Sequence, residues 1–393
     1  MPLQFRSSCF FVLELAQIQK YKDNHISIMD LVKKRFMLYN LMNGDRLVLK
    51  FDFEDTYIEV IDNEFLPFEL RDYIKTTTST IEGVKKTLSD IETLKDFLVS
   101  RTLNLSRQNA KKILNVAALP QSRNTSERMK IALCCRGLIM TDQFWIKKDT
   151  EDIRYSSVDL KKRLSDVSYE IAILGKSISA TQEELIPDLS TLGMAPKYWH
   201  QKDGEVFIYK TDTNFASSVE SELKACSYLE KMGIDCVHYD SYARDGIRFA
   251  ISKCIANEQV SLIHAQAIRD WCAHTNRDFL LFVTEKFLTE FSNMCVCDYV
   301  FGNTDRHFEN WGFIVDNNTN EIISFAPLYD HNQAFLCDNF HTDINELIYE
   351  PCNTTYLLAI KKYAPYSTAD FSKLKDLSIN CLDRVNVLNG DFR

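Results

Sequence analysis

The chain has 393 residues, of which 45% are hydrophobic and 12% aromatic, and its formal net charge is −9. This length and apolar content are sufficient for two or three domains, or for one large bilobal unit. The low numbers of glycine (11) and proline (8) argue against a sandwich or disordered architecture and favour helices with some sheet. Because both signs of charge are mixed along the chain without a long basic run, we expect no direct nucleic-acid partner.

The twelve cysteines, which include the adjacent Cys134 and Cys135, show neither a disulfide framework nor paired zinc-site spacing. We therefore expect reduced, mostly buried thiols in a cytoplasmic protein. The apolar segment 10–16 is too short for a signal peptide and contains Glu14. No apolar run approaches transmembrane length, so we expect no membrane partner.

Residues 1–75 are predicted to form a mainly β region. Turn residues at 43–45 separate two apolar segments that are typical of strands, and a third such segment follows at residues 56–61. A short helix is predicted at residues 30–34. We find no candidate site in this region.

Residues 76–180 are predicted to be a helical accessory region. Apolar residues recur at three- and four-residue steps between residues 84 and 98, which is typical of an amphipathic helix. The predicted helices cover residues 81–99, 109–116, 126–134 and 158–174, with a short strand or connector at residues 142–147. We assign the aromatic and leucine side chains of this region to the core.

Residues 181–256 are predicted to be a small, nucleotide-binding lobe. A loop around Gly193 precedes a strand, residues 205–211, at the end of which Lys210 shares a face with apolar residues. The helix predicted at residues 219–232 carries Glu222. Its expected cap is Ser217 or Ser218, and strands are predicted at residues 236–242 and 247–254.

This order of elements suits phosphate binding. The backbone N–H groups of a small loop can hold phosphates. Lys210 on the neighbouring strand can neutralise their charge, and Glu222 on the helix can hold the lysine in place. A single glycine or a single Lys–Glu pair is a weak signal of a nucleotide site. These residues support such a site only because they precede the polar cluster that is described below.

Residues 257–393 are predicted to be a larger, catalytic and mostly helical lobe. Six polar residues, two acids, two bases and two amides, are concentrated between Asn303 and Asn310, with apolar segments on both sides. A β-hairpin of residues 311–315 and 321–325 follows, and its return brings Asp330 towards Asn310. Helices are predicted at residues 262–272, 287–299, 345–363 and 370–389.

The side chains of this cluster suit Mg²⁺ and phosphate chemistry. Asn310 and Asp330 offer hard oxygen ligands for a nucleotide-bound Mg²⁺. Asp305 would orient an acceptor hydroxyl and take its proton. Arg306 would either stabilise phosphoryl charge or tie the loop to the fold. His307 is expected to be structural.

Asn303 is expected to brace the same loop or to help position the acceptor. Each of Asp305, Asn310 and Asp330 alone could be a turn former or a helix cap. Their combination with Lys210 and Glu222 upstream, in this order, favours a functional site.

The motifs Asp305-Arg306-His307-x-x-Asn310-x-Gly312 and Ala326-Pro327-Leu328-Tyr329-Asp330 resemble the HipA family of bacterial serine/threonine kinases. The Asp-Arg-His-x-x-Asn motif is also similar, more distantly, to that of phosphatidylinositol 3- and 4-kinases. The resemblance covers about residues 186–335. It implies an α+β fold: a bilobal, protein-kinase-like (HipA-like) core with an N-terminal accessory region.

By this resemblance, Asp305 corresponds to the catalytic aspartate, and Asn310 and Asp330 correspond to the metal ligands. Lys210 corresponds to the lysine that contacts phosphate, while Glu222 and the loop from Gly193 to Lys197 lie where the family binds nucleotide. The cofactors implied are ATP and Mg²⁺. A loop serine is autophosphorylated in HipA toxins, and Ser190 or Thr191 is the candidate here. An antitoxin partner and a toxin-like role are further implications. Where the family often has glycine soon after the metal aspartate, this chain has His331 and Asn332.

The leading hypothesis is an ATP- and Mg²⁺-dependent kinase that phosphorylates Ser or Thr hydroxyls of a protein, itself included. One alternative is a nucleotide-binding interaction module without catalytic activity. The other is a kinase of a lipid or small molecule, and of these a membrane substrate is less favoured because no basic amphipathic helix stands out.

Overall fold

The computed structural model describes residues 38–53, 57–78, 80–212, 218–337 and 343–390. Nine α-helices lie in these ranges: α1 (Ile81–Ser100), α2 (Ala110–Val116), α3 (Thr125–Cys134), α4 (Gln182–Leu189), α5 (Ser218–Met232), α6 (Ala265–His274), α7 (Phe279–Phe301), α8 (Tyr356–Tyr363) and α9 (Ile379–Gly390). The strands are β1 (Tyr39–Asn43), β2 (Arg46–Asp52), β3 (Tyr57–Val60), β4 (Phe144–Lys148), β5 (Lys197–Lys202), β6 (Glu205–Thr211), β7 (Asp240–Arg244), β8 (Ile247–Lys253), β9 (Val260–His264), β10 (Gly312–Asp316), β11 (Ile322–Phe325), β12 (Ile348–Tyr349) and β13 (Thr354–Thr355).

The strands form three antiparallel sheets and a two-stranded ribbon. The first sheet has the order β3-β2-β1-β4, the second β5-β6-β8-β7 and the third β11-β10-β9, and β12 pairs with β13. The predicted turn at residues 43–45 joins β1 to β2, and the predicted hairpin joins β10 to β11. The α+β fold class expected from the motif resemblance is confirmed.

The largest hydrophobic core surrounds α7. Phe291 of this helix is fully buried and packs against Trp311 before β10 and Tyr363 at the end of α8, with ring centroids 5.4 and 5.1 Å apart. Gly302 ends α7 in a left-handed conformation (φ 65°), a backbone geometry that glycine adopts without a Cβ penalty. The polar cluster therefore begins directly at the end of the buried C-terminal half of α7.

The helix predicted at residues 158–174 is wrong. The structure has 3₁₀ turns at Tyr155–Ser157 and Leu160–Lys162 and a π-helical segment at Tyr169–Ile173. The Asp159 carboxylate accepts a hydrogen bond from the Lys161 N–H at 3.1 Å, and this local bond competes with helix continuation. The apolar side chains of this stretch also pack into two separate hydrophobic cores. Their helical spacing therefore does not mark one buried face of a single helix.

Four other predicted elements differ from the structure. The helix predicted at residues 370–389 begins only at α9, after a 3₁₀ turn at Phe371–Lys373. The helix predicted at residues 345–363 is confined to α8, because Pro351 and the left-handed Asn353 (φ 49°) lie in the preceding turn. The strand predicted at residues 236–242 begins only at β7, and Cys236 makes an isolated bridge instead. The helix predicted at residues 262–272 is split between β9 and α6.

The helix predicted at residues 30–34 and the candidate cap Ser217 lie outside the described residues. Within the described ranges, no helix has both the length and the apolar character needed to cross a membrane. All cysteines in those ranges are free thiols, as expected from the composition.

Candidate functional site

A cavity of about 780 Å³ collects most of the residues that the sequence predicted to be functional. The predicted residues that line it are Ser190, Thr191, Gly193, Lys197, Lys210, Asp305, His307, Asn310 and Asp330. Glu222, Asn303 and Arg306 are buried outside this lining. Such a volume is typical of a pocket for a small molecule or cofactor.

Lys210 forms the centre of an ion cluster on the cavity wall. Its Nζ donates to Glu222 Oε1 at 2.7 Å, to Asp330 Oδ1 at 3.0 Å and to the Tyr239 hydroxyl at 3.3 Å. Burial alone would lower the pKa of Lys210, but the carboxylates of Asp330 and Glu222 raise it well above its ordinary value. The lysine is therefore a fixed positive charge. The second oxygen of Glu222 accepts from the His331 backbone N–H at 3.0 Å, which ties helix α5 to the segment after Asp330.

Lys197 adds a second cation beside Lys210. The two residues are directly opposite each other in the β5–β6 pair, so their side chains share one face of the sheet. Burial lowers the pKa of Lys197 to about 8, an effect that Asp330 opposes and Lys210 reinforces. The face of the sheet that borders the cavity thus carries two ammonium groups of different acidity.

The loop between α4 and β5 closes over Lys197. Gly193 has a φ of +82°, and a Cβ at this position would lie 2.6 Å from Lys197 Nζ, so glycine permits the close approach. Within the described part of the chain, the backbone N–H groups of residues 192–195 donate no hydrogen bonds. These free amides and the Lys197 ammonium are suited to an anionic ligand.

Asp330 and Asn310 place hard oxygen donors beside Lys210. Asp330 has a left-handed backbone (φ 58°), which is uncommon for a non-glycine residue and concentrates at functional sites. Burial on its own would raise the pKa of the Asp330 carboxyl, yet Lys210 and Lys197 hold it well below its usual range. The Asn310 amide nitrogen donates to the Asp305 carbonyl at 2.7 Å, so Oδ1 is its atom that can ligate a metal.

Asn332 lies next to this donor set. Its amide nitrogen donates to Asp330 Oδ1 at 2.8 Å, and its oxygen Oδ1 is buried without a hydrogen-bond partner among the described residues. An orphaned buried oxygen is costly unless something binds it. This donor set of carboxylate and amide oxygens fits a hard divalent cation such as Mg²⁺.

Asp305 lies at the open side of the cluster and is half-buried. Burial raises the pKa of its carboxyl above the ordinary value, an effect that His307 opposes and Asp330 reinforces. The Nδ1 atom of His307 accepts from the Glu309 N–H at 3.2 Å, and its backbone N–H donates to the Asp305 carbonyl at 2.9 Å. The His307 ring thus bonds to a backbone N–H rather than to a carbonyl, and the structural role expected for it stays a prediction.

Arg306 is buried behind the loop and held by Asp298 of helix α7. Its Nε and Nη2 atoms donate to the two Asp298 oxygens, both at 2.9 Å, and Nη1 donates to the carbonyls of Asn310 and Tyr329. Of the two roles predicted for Arg306, these contacts favour tying the loop to the fold. Asn303, which donates to Asp298 Oδ1 at 2.8 Å, braces the same loop.

Ser190 and Thr191, the candidate phosphorylation sites, lie at the C-terminal end of α4. The Ser190 hydroxyl donates to the Ile186 carbonyl at 2.7 Å, and the Thr191 hydroxyl donates to the Pro187 carbonyl. Both side chains are buried. Phosphorylation of either therefore requires the end of this helix to open, and the proposed modification remains a prediction.

A comparison with protein-family models gives one match at residues 178–353, to the family described as phosphatidylinositol 3- and 4-kinase. The matched residues contain the loop, the Lys210 cluster and the Asp305 motif described above. Residues 178–353 form a kinase-like domain. The resemblance stated from the motifs is confirmed, while the predicted domain boundaries and the individual site roles stay predictions. No curated protein matches the chain.

Two solved structures are similar in outline. The Helicobacter pylori proinflammatory kinase CtkA has a TM-score of 0.36 and 15% identity, covering 51% of this chain and 88% of its own. The HipA–HipB–operator DNA complex of Shewanella oneidensis MR-1 has a TM-score of 0.48 and 12% identity, covering 90% of this chain and 95% of the matched one. Both scores are below 0.5, so the roles assigned below depend on the site geometry instead.

Sequence reasoning missed three residues of the kinase-like domain that hold the site together. Asp298, Tyr239 and Asn332 contact Arg306, Lys210 and Asp330 respectively. Asp298 lies in an apolar stretch of α7, and an acid at such a position is a signal for a buried ion pair. Sequence reasoning also missed that residues 139–141 of the predicted accessory region line the cavity.

Asp298→Asn should destabilise the protein by about 3–5 kcal/mol, because it leaves the buried Arg306 without a counter-charge. Asp298 is fully buried and also accepts from Asn303 and the Tyr349 hydroxyl. Urea unfolding measures the change. Glu290→Gln, which alters an exposed carboxylate on the same helix, should stay within about 0.5 kcal/mol of wild type. Equal unfolding midpoints for the two variants would contradict this role of Asp298.

Proposed function

We propose that this chain is an ATP- and Mg²⁺-dependent kinase that transfers the γ-phosphate to Ser or Thr hydroxyls of a protein, itself included. The observation that carries the proposal is the position of Lys210 Nζ, 2.7 Å from Glu222 and 3.0 Å from Asp330, on a cavity that Asp305 and Asn310 also line. A fixed cation, two metal-type oxygens and a raised-pKa carboxyl are the parts that phosphoryl transfer requires.

ATP would lie between a small lobe, residues 181–256, and a large lobe, residues 257–393. Its phosphates would contact Lys210, Lys197 and the free amides of residues 192–195. The apolar side chains that line the same cavity suit the flat, apolar face of a base, and they include Ile208, Val237 and Leu262.

Asp330 and Asn310 would hold the Mg²⁺ ion, with Asn332 Oδ1 within the same group of oxygens. When bound, Mg²⁺ neutralises phosphate charge and orients the triphosphate. Asp330 is suited to this position because its pKa is held low, so that its carboxylate stays ionised at any physiological pH.

Asp305 would hold the acceptor hydroxyl and accept its proton. A carboxyl whose pKa is raised by burial is a stronger base than an exposed one, and proton transfer of this kind contributes about 10²–10⁴-fold to a rate. Arg306 would act as a positioning residue, since its contacts with Asp298 and the Asn310 carbonyl fix both ends of the loop that carries Asp305.

A protein acceptor is favoured over a phosphoinositide because no basic amphipathic helix stands out in the sequence. Binding at a surface of anionic lipid relies on clustered basic residues. Autophosphorylation at Ser190 or Thr191 and an antitoxin partner remain hypotheses from the motif resemblance.

With [γ-³²P]ATP and Mg²⁺, the wild-type protein should label itself or a generic protein acceptor. Asp305→Asn should reduce the rate by about 10²–10⁴-fold because it removes the proton acceptor. Asp330→Asn should reduce it at least as much because a metal ligand is lost. Phosphate transfer is measured by autoradiography and scintillation counting.

The matched control for these variants is Glu321→Gln. It neutralises an exposed carboxylate directly before β11, in the hairpin that lies between Asp305 and Asp330 in the chain. It should retain the wild-type rate. Wild-type rates in both Asp305→Asn and Asp330→Asn would contradict the assignment. If label appears in phosphatidylinositol vesicles but in no protein, the acceptor is a lipid rather than a protein. If ATP binds but no phosphate is transferred to any acceptor, the chain is a nucleotide-binding interaction module without catalytic activity.

The affinity for ATP should fall as pH rises through about 8, the pKa of Lys197. Below this pKa the ammonium is charged and attracts phosphate, and above it the neutral amine does not. Above this pKa, the affinity for ATP should fall by at most about tenfold for each pH unit, because one proton is lost. Lys197→Arg should remove the dependence because a guanidinium stays protonated. Calorimetric titration at several pH values measures it, and a wild-type affinity that is flat through pH 8 would refute this role.

A further inference from the structure

A group of metal-ligating side chains lies outside the cavity, at the C-terminal half of helix α5 and in the segment before β7. One atom from each of Cys226, Glu230 and His238 lies within 4.8 Å of the other two. Cys236 adjoins this group, with its Sγ 4.0 Å from the Cys226 carbonyl oxygen. None of these four side chains lines the nucleotide cavity.

The local structure explains why these side chains meet. Cys226 and Glu230 are four residues apart on α5, so they lie on the same face of the helix, one turn apart. In the following segment burial alternates: Val237 and Tyr239 are buried, whereas Cys236 and His238 remain accessible. Cys236 and His238 are two residues apart, so their side chains lie on the same side of this segment, next to the C-terminal half of α5.

The present contacts already orient the ligand atoms. His238 Nδ1 lies 2.5 Å from Glu230 Oε1, and His238 Nε2 lies 3.3 Å from Asp240 Oδ1. The buried Cys226 sulfur accepts a hydrogen bond from the Tyr239 backbone N–H at 3.3 Å.

We propose that Cys226, Cys236, His238 and Glu230 form a structural binding site for a zinc ion. Two thiolates, one imidazole and one carboxylate are ligand types that zinc takes in tetrahedral sites. In a tetrahedral site, zinc–ligand bonds of about 2.0–2.3 Å place two ligand atoms about 3.3–3.8 Å apart. The ligand atoms of Cys226, Glu230 and His238 lie within 4.8 Å of one another, and rotation of the exposed Glu230 and His238 side chains brings them to this spacing. Binding would release one proton from each thiol to solvent.

The position of the site links it to Lys210. Glu222 lies on α5 one turn before Cys226, and Tyr239, which contacts Lys210, directly follows His238. Cys236 bridges Leu328, two residues before Asp330. A zinc ion at this position would fasten α5 to the 236–239 segment, and so would fix the helix that carries Glu222 relative to its lysine. The inference does not depend on which substrate the kinase-like domain uses.

Titration of the reduced, metal-free protein with Co²⁺ tests the proposal. One equivalent should produce thiolate-to-cobalt charge-transfer absorption in the near ultraviolet and tetrahedral d–d bands in the visible, and Zn²⁺ should displace both. Cys226→Ser removes one of the two proposed thiolate ligands, so the charge-transfer intensity should fall by at least half. His238→Ala changes an exposed residue and should weaken the affinity for Co²⁺ by at least about tenfold. Loss of a residue that only supports a metal ligand already costs about that much, and His238 is proposed to bind the metal directly.

Cys134→Ser provides the matched control, because it removes a partly exposed thiol of helix α3. Its Co²⁺ spectrum and affinity should equal those of the wild type. Zn²⁺ should also raise the thermal unfolding temperature of the wild type and of Cys134→Ser, but not that of Cys226→Ser. The proposal is overturned if the wild type shows no charge-transfer band, or if Cys226→Ser and His238→Ala both bind Co²⁺ as the wild type does.

Discussion

The buried ion cluster around Lys210 is the interaction on which the rest of the site depends. Lys210 comes from a central strand of the second sheet, Glu222 from helix α5 and Asp330 from the segment after the β10–β11 hairpin. A buried ammonium is tolerated only when it is paired and hydrogen-bonded, and removing one partner of such a pair costs about 3–5 kcal/mol. The three elements are therefore held in one arrangement, in which Lys210 and Asp330 border the same cavity. The same constraint gives the cavity its charge pattern, with cations on the sheet and ionised oxygens opposite them.

The grouping of the candidate site residues around one cavity could be predicted because its signals are local. Asp305 and Asn310 are five residues apart, and the hairpin that returns the chain to Asp330 is encoded by turn residues at 316–320. The order of loop, Lys210 strand and Glu222 helix is also a local pattern, whereas the fold class was expected from the motif resemblance. Side-chain alternation along a strand and the spacing of a helix are short-range rules, so these parts required no knowledge of distant contacts.

Many supporting contacts could not be predicted because they join parts of the chain that the sequence does not relate. An acid in the apolar stretch of α7 signals a buried ion pair at Asp298, but only the fold shows that Arg306 and Tyr349 are its partners. Residues 139–141 show no site pattern, yet the Leu262 N–H donates to the Thr141 carbonyl at 2.8 Å, which places this segment at the cavity. The periodicity of residues 158–174 was misleading for a related reason, since tertiary packing divided its apolar side chains between two cores.

If Asp330 holds the metal that accompanies ATP at the Lys210 cluster, then Mg²⁺ should strengthen ATP binding only when this carboxylate is present. Isothermal titration calorimetry of the wild type and of Asp330→Asn measures the effect of Mg²⁺ on the affinity for ATP. We expect Mg²⁺ to strengthen ATP binding to the wild type by at least about tenfold, or 1.4 kcal/mol, and Asp330→Asn to lose most of this gain. An equal gain from Mg²⁺ in both proteins would show that Asp330 does not hold the metal.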